Sequence, residues 1–255
     1  MEFKNISRKV IVESTPELAV TFAANLVNTI ICESVAETSK CCIALSGGVT
    51  PHALYQHFAQ HVISEEVPWS QVQVFFGDER DVPQDHAESN YRMAQRTLLD
   101  HVPIPPVSVH PMRGDAPDLS AAATEYERTV RQIVSDGGSG GVPRFDLILL
   151  GMGAEGHVAS LFPGCDAVEE TQKLVTATYV SVLSRNRLTF TYPLINAARN
   201  IVMLVTGEEK AEAVSLLLSD SGERDRLPAA KVSPAQGQLI LVLDTAAAKY
   251  TNFRA

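Results

Sequence analysis

Short, nearly uninterrupted apolar runs constrain this chain more than any other feature. Cys41–Leu45, Val72–Phe76, Phe145–Leu150, Ile201–Val205 and Leu239–Leu243 are each five or six residues long. Such runs are too short for helices, and without polar alternation they read as strands buried on both faces. Helical segments separate them. Thr15, Pro16 and Glu17 supply a cap, a first-turn proline and an acidic first turn, predicting a helix to about Glu37. Further helices are predicted over His52–His61, from Ser89 through Leu99, over Asp118–Val134 and over Glu208–Leu218. Strands alternating with helices give an α/β fold, a mostly parallel central sheet covered by helices on both faces. Lys173–Thr191 alternates in places and is expected to add a small β region at a sheet edge. The proline-rich stretch Val102–Pro117 reads as irregular, with a short extended piece at Val107–His110. No repeats or long linkers interrupt the pattern, so residues 1–255 are expected to form a single α/β domain.

Composition narrows the partners. Hydrophobic residues make up 45% of the 255 positions and charged residues 20%, a globular mixture rather than a disordered one. A formal net charge of -9 argues against nucleic acid, which usually meets a basic face, but a few local cations can still hold a small anion. Cys32, Cys41, Cys42 and Cys165 fit no zinc or CxxC spacing and read as reduced thiols of a cytosolic, hence cytoplasmic, protein. No basic leader opens the chain and no stretch approaches 18 consecutive apolar residues, so neither export nor a membrane span is expected.

Ligands of open α/β sheets bind beyond the carboxyl ends of the strands, and three of those ends carry polar chemistry. After the first run, Ser46, Gly47, Gly48, Val49 and Thr50 form a glycine turn leading into a helix, which suits an anion such as a sugar phosphate and equally suits a plain turn capped by Thr50. After the second, Asp78, Glu79, Arg80 and Asp81 place an Arg for an oxyanion, with Asp78 to orient that Arg or a histidine; a solvated, ion-paired turn has the same sequence. After the third, Gly151 to Gly156 lead to His157 at the expected start of a short helix to Leu161. A helix start favours neutral imidazole, a proton acceptor near neutral pH, and Glu155 stands two residues away to tune it. A capping histidine is the plainer reading. HExxH, GxSxG, a Walker lysine and GxGxxG after the first strand are all missing, and the Gly137–Gly141 loop lacks what a phosphate loop requires, so metal, serine-elbow and nucleotide chemistry have no motif here.

In chain order, the segments Leu45–Pro51, Phe76–Pro83 with Asp78-Glu79-Arg80, Ser89-Asn90-Tyr91, Phe145–Gly153, Glu155–Pro163, Arg187-Leu188-Thr189, Pro193–Asn196 and Gly207–Lys210 resemble the 6-phosphogluconolactonase family over nearly the whole chain. The resemblance implies a Rossmann-like fold shared with glucosamine-6-phosphate deaminases. It implies hydrolysis of 6-phospho-D-glucono-1,5-lactone, a small phosphorylated sugar lactone, without metal or organic cofactor. It also nominates Arg187 and Lys210 for the phosphate beside the Ser46–Thr50 turn, Arg80 for the phosphate or the sugar-acid end, and His157 as the general base. Asp78 would hold Arg80 or His157, and a backbone N–H near Gly153–Gly156 or a cation would take the oxyanion. The family usually has Asp where this chain has Glu155, a longer arm that leaves its hold on His157 open. The deaminases are the alternative, although Val158–Pro163 departs from the Asn-Glu-Pro continuation expected of them. A non-catalytic sugar-phosphate sensor would keep the cations and lose the base.

Overall fold

The computed structural model describes residues 7–60, 67–136 and 141–255. His61, the predicted end of one helix, and Gly137–Gly140 of the glycine loop lie outside the described residues. Each of the five apolar runs supplies a strand: β2 (Cys41–Leu45), β3 (Val72–Phe76), β5 (Leu147–Leu150), β8 (Asn200–Val205) and β9 (Gln238–Asp244). A further strand with no long apolar run, β1 (Ser7–Glu13), precedes them. Only Val10, Ile11 and Val12 of it are apolar, half-buried against the two sides of the sheet, and the flanking Arg8 and Lys9 are exposed at this sheet edge.

These six strands form one sheet in the order β1-β9-β8-β5-β2-β3, with every pair parallel. From β2 the chain crosses to β3 on one side. β5 then enters on the other side of β2, and the chain steps outward through β8 to β9. The direction of travel reverses between β2 and β5, and such a reversal leaves a crevice beyond the carboxyl ends of the two strands.

Both sheet faces are covered, which is why the strands read as unbroken apolar runs. Along β2, Cys41, Ile43 and Leu45 meet α1 (Pro16–Thr38), α2 (Val49–Gln60) and α3 (Asn90–Thr97). Cys42 and Ala44 face α4 (Leu119–Ile133), the region around α5 (Tyr192–Ile195), and α6 (Ala211–Leu218). The predicted Thr15 cap accepts from a first-turn amide of α1, and Ser89 and Asp118 do the same for the helices they open. Although α1 contains no long unbroken apolar stretch, its 23 residues include an 18-residue window of mean hydropathy 1.5, enough by length and composition to cross a membrane. Here its Ala19, Ala23, Ala24, Val27 and Ile31 stripe is buried on the sheet.

Lys173–Thr191 does yield β structure, but not at the edge of the main sheet. β6 (Val175–Val180) and β7 (Arg185–Phe190) pair antiparallel and recruit a third strand, β4 (Asp78–Arg80), into a separate small sheet. The charged segment after β3 is therefore neither a free turn nor solvated. Asp78 is 7% exposed and Glu79 only 1%.

Candidate active site

The crevice between β2 and β5 opens into a cavity of about 580 Å³. Ser46, Gly47, Gly48 and Thr50 line it from the end of β2, and Asp78 and Arg80 from β4. Glu155 and His157 enter from the loop after β5, Arg187 from β7 and Lys210 from the turn after β8. The fold thus brings together in one space all ten side chains or glycines singled out from the sequence.

The β2 turn is built for close approach. Gly48 has φ of +106°, a conformation that a side chain would strain. The buried Tyr55 hydroxyl clamps Ser46 twice, accepting from its N–H at 2.9 Å and donating to its C=O at 2.8 Å. α2 begins at Val49, three residues earlier than predicted, so its leading amides, without intrahelical partners, come to the cavity. Thr50 lies inside the helix rather than capping it, and its hydroxyl meets that of Thr206 at 3.0 Å, tying this turn to the end of β8.

Two arginines face the cavity from the small sheet, and their placement is electrostatically costly. Arg80 and Arg187 sit directly opposite each other across β4 and β7, where like charges repel. Burial first, and Arg80 next, push the Arg187 guanidinium below its ordinary value, opposed by Asp78 and Asp81. Asp81 approaches Arg187 at 3.6 Å but is shared with Arg185 at 3.1 Å. Arg80 donates to the Glu88 carbonyl. A doubly charged anion between the two arginines would relieve this repulsion.

β4 is held rigidly. The Glu79 carboxylate accepts from the N–H groups of Arg80, Asn90 and Tyr91 at 2.8, 2.7 and 2.9 Å, and from the Ser89 hydroxyl at 3.0 Å. It thereby pins the start of α3 to the strand. Burial pushes its pKa up, and those four bonds pull it back. Asp78 binds neither Arg80 nor His157 directly. Its oxygens accept from the Asn90 amide at 3.1 Å and the Ser160 hydroxyl at 2.7 Å. Asn90 and Ser160 stood in the quoted motifs without roles. Their positions next to Asp78 are set by tertiary packing alone.

The short helix expected at His157 does not form. Val158 and Leu161 instead bridge across a tight turn in which Ala159 takes φ of +48° and the Ser160 N–H bonds the Thr189 hydroxyl at 3.2 Å. Contact with β7 outweighs local helix preference. Helix-terminus electrostatics therefore have no part in tuning the imidazole. Burial lowers the His157 pKa from its ordinary 6.5, followed by an opposing pull from the Glu155 carboxylate. Asp78 adds to that pull and Lys210 works against it.

The ring stacks on Phe162, with centroids 3.9 Å apart and planes 16° from parallel. Its Nδ1 is buried and lies 3.2 Å from Glu155 Oε1, at hydrogen-bond distance but without hydrogen-bond alignment. The longer Glu arm thus reaches the ring and does so off-angle. With Nδ1 turned to Glu155, Nε2 is the nitrogen left for a substrate. Gly153 lies against the ring, since a Cβ there would fall 2.1 Å from Nδ1.

A cavity at the switch point of a parallel sheet, rimmed by cations and free helix amides and holding one imidazole biased toward neutrality, defines an enzyme site for a small anionic substrate. The chain belongs to the family of glucosamine-6-phosphate isomerases/6-phosphogluconolactonase, whose profile matches residues 14–241. Within that family it falls with the 6-phosphogluconolactonases. It is 42% identical over 218 residues to the 6-phosphogluconolactonase of Synechocystis sp., covering 86% of this chain and 88% of that one. The solved 6-phosphogluconolactonase from Trypanosoma cruzi superposes with a TM-score of 0.84 at 30% identity, covering 97% and 98% of the two chains. A monomeric glucosamine-6-phosphate deaminase shares the fold at 22% identity with a TM-score of 0.80, covering 95% of this chain and all of the other.

Proposed function

We propose that this chain hydrolyses 6-phospho-D-glucono-1,5-lactone to 6-phospho-D-gluconate, the lactonase step of the oxidative pentose phosphate pathway, with His157 as general base. The observation that carries the reading is the convergence of the His157 imidazole and the Arg80, Arg187 and Lys210 cations on one cavity. The cations and the Ser46–Thr50 turn take the phosphate, a group that Arg recognises in a bidentate manner. His157 Nε2 accepts a proton from water as the water oxygen attacks C1 of the lactone. The tetrahedral intermediate then expels the ring oxygen, breaking the C1–O bond, and the imidazolium returns the proton to the departing oxygen. Burial of the ring supports this role, because it keeps the imidazole neutral and able to accept. Glu155 stabilises the imidazolium formed during attack, and Asp78 acts on His157 through the field rather than by contact.

A reducing, cytosolic setting belongs to the same reading. The four cysteines are free, and burial pushes the Cys42 thiol up to about 12, keeping it protonated and unreactive. The test is the loss of the δ-lactone by NMR, on freshly made substrate beside an enzyme-free control, with glucosamine 6-phosphate run in parallel. Accelerated lactone opening without ammonia release is expected. Ammonia release without lactone opening would transfer the chain to the deaminase reaction.

A further inference from the structure

A second cavity, of about 210 Å³, lies at the opposite end of the strands from the catalytic one. Arg8, at the start of β1, pairs in register with Leu239 at the start of β9, so its side chain shares a face with Leu239 and Leu241. Arg224 comes from the segment after α6, and Leu217, Val232 and Ser233 complete the wall. Two guanidinium groups therefore meet over an apolar floor.

Neither guanidinium is neutralised by contact. Among the described residues, Arg8 and Arg224 form no salt bridge and no side-chain hydrogen bond, and Arg224 Nε is buried without a partner. The neighbouring Glu223 is directed to Arg226, at 3.8 Å. Burial and then Arg224 push the Arg8 pKa down, with only Asp220 pulling it back. A buried guanidinium N–H without an acceptor is destabilising, and two cations facing each other add repulsion. An oxyanion between them would remove both costs, and the leucine floor would accept a short apolar body.

We infer that this cavity is a second, non-catalytic anion site that takes a small phosphate monoester or carboxylate carrying an apolar group. The ligand's oxygens accept from Arg8 and the orphaned Nε of Arg224, while its carbon skeleton rests on Leu217, Leu239 and Leu241. The segment carrying Arg224 continues to Ala229, whose N–H bonds the Gly156 carbonyl at 2.9 Å, next to His157. An anion bound at Arg224 would therefore brace the support of the catalytic loop.

Calorimetric titration at low ionic strength with phenyl phosphate, and with benzoate as the carboxylate probe, tests the assignment. The wild-type chain should show two phenyl phosphate sites, and Arg187→Ala, which disables the catalytic one, should retain the other. Arg8→Gln and Arg224→Gln should each weaken the retained site by about tenfold or more, the scale of one charge-assisted hydrogen bond. Both should leave lactone turnover within about twofold, since neither side chain enters the catalytic cavity. Arg8 is exposed on an edge strand, so its variant serves even if Arg224→Gln fails to fold. A single site in the wild-type chain, or a second site unchanged in Arg8→Gln, would overturn the inference.

Discussion

Replacing Gly153 by alanine isolates the geometry of the catalytic base. The backbone there has an ordinary φ, so alanine adds no conformational strain, and its effect is steric alone. The added Cβ would lie 2.1 Å from His157 Nδ1, 2.3 Å from Cε1 and 2.6 Å from Glu155 Oε2. Ordinary contact begins near 3.4 Å, so the ring has to retreat by about 1.3 Å. It is already stacked on Phe162, which leaves no slack on that side. A displacement of about 1 Å in a reacting group costs on the order of 10²-fold in rate, so kcat should fall by roughly that factor. KM should change little, because Arg80, Arg187 and Lys210 stand on other elements. Gly151→Ala is the matched control, since its Cβ would meet Pro51 at 3.9 Å and Ser46 at 4.0 Å, both comfortable. The assay is lactone loss followed by NMR, with thermal unfolding of both variants measured alongside. Turnover of Gly153→Ala within about threefold of wild type, or equal damage from Gly151→Ala, would refute the placement of the ring.

Other expectations follow from the same geometry. His157→Ala should lower kcat by roughly 10²–10⁴-fold, the usual contribution of a positioned acid–base group, and near-normal turnover would remove it from the mechanism. Catalysis needs the neutral ring, and burial lowers its pKa, so the acid limb of kcat/KM should lie below pH 6.5. Glu155→Gln removes a charge that favours the imidazolium, so it should move that limb further toward acid; a shift toward neutral pH would contradict the pairing. Arg187→Ala should raise KM for the phosphorylated lactone while relieving repulsion with Arg80, so the unliganded protein should not lose thermal stability through lost charge pairing. An unchanged KM counts against its phosphate role. Glu79→Ala leaves three backbone amides without their acceptor, which at about 1–3 kcal/mol each should cost roughly 3 kcal/mol or more by denaturant unfolding. A loss below about 1 kcal/mol would mean that water replaces the carboxylate.

Local residue order is enough to show which segments become central strands and where the polar chemistry attaches to them. A strand buried on both faces has to be continuously apolar, so Cys41–Leu45 and Ile201–Val205 announce themselves locally, and the glycine-rich or charged residues that end each run mark its carboxyl end. Ser46–Thr50, Asp78–Arg80 and Glu155–His157 were legible for that reason. β1 was not, because on this edge strand only Val10, Ile11 and Val12 are apolar, with Arg8, Lys9 and Glu13 on either side.

Whatever depends on what faces what came from long-range packing. The reversal between β2 and β5 brings Ser46 and His157 to one crevice, although no local signal fixes strand order. β4 exists because β7 pairs with it, which turns a charged turn into a buried strand and sets Arg80 against Arg187. The His157 segment forms a turn instead of a helix because Ser160 bonds Thr189 and Asp78. Periodicity reports how much of a segment is covered, whereas partners distant in the chain determine what covers it, and the charge state of the imidazole follows from that cover.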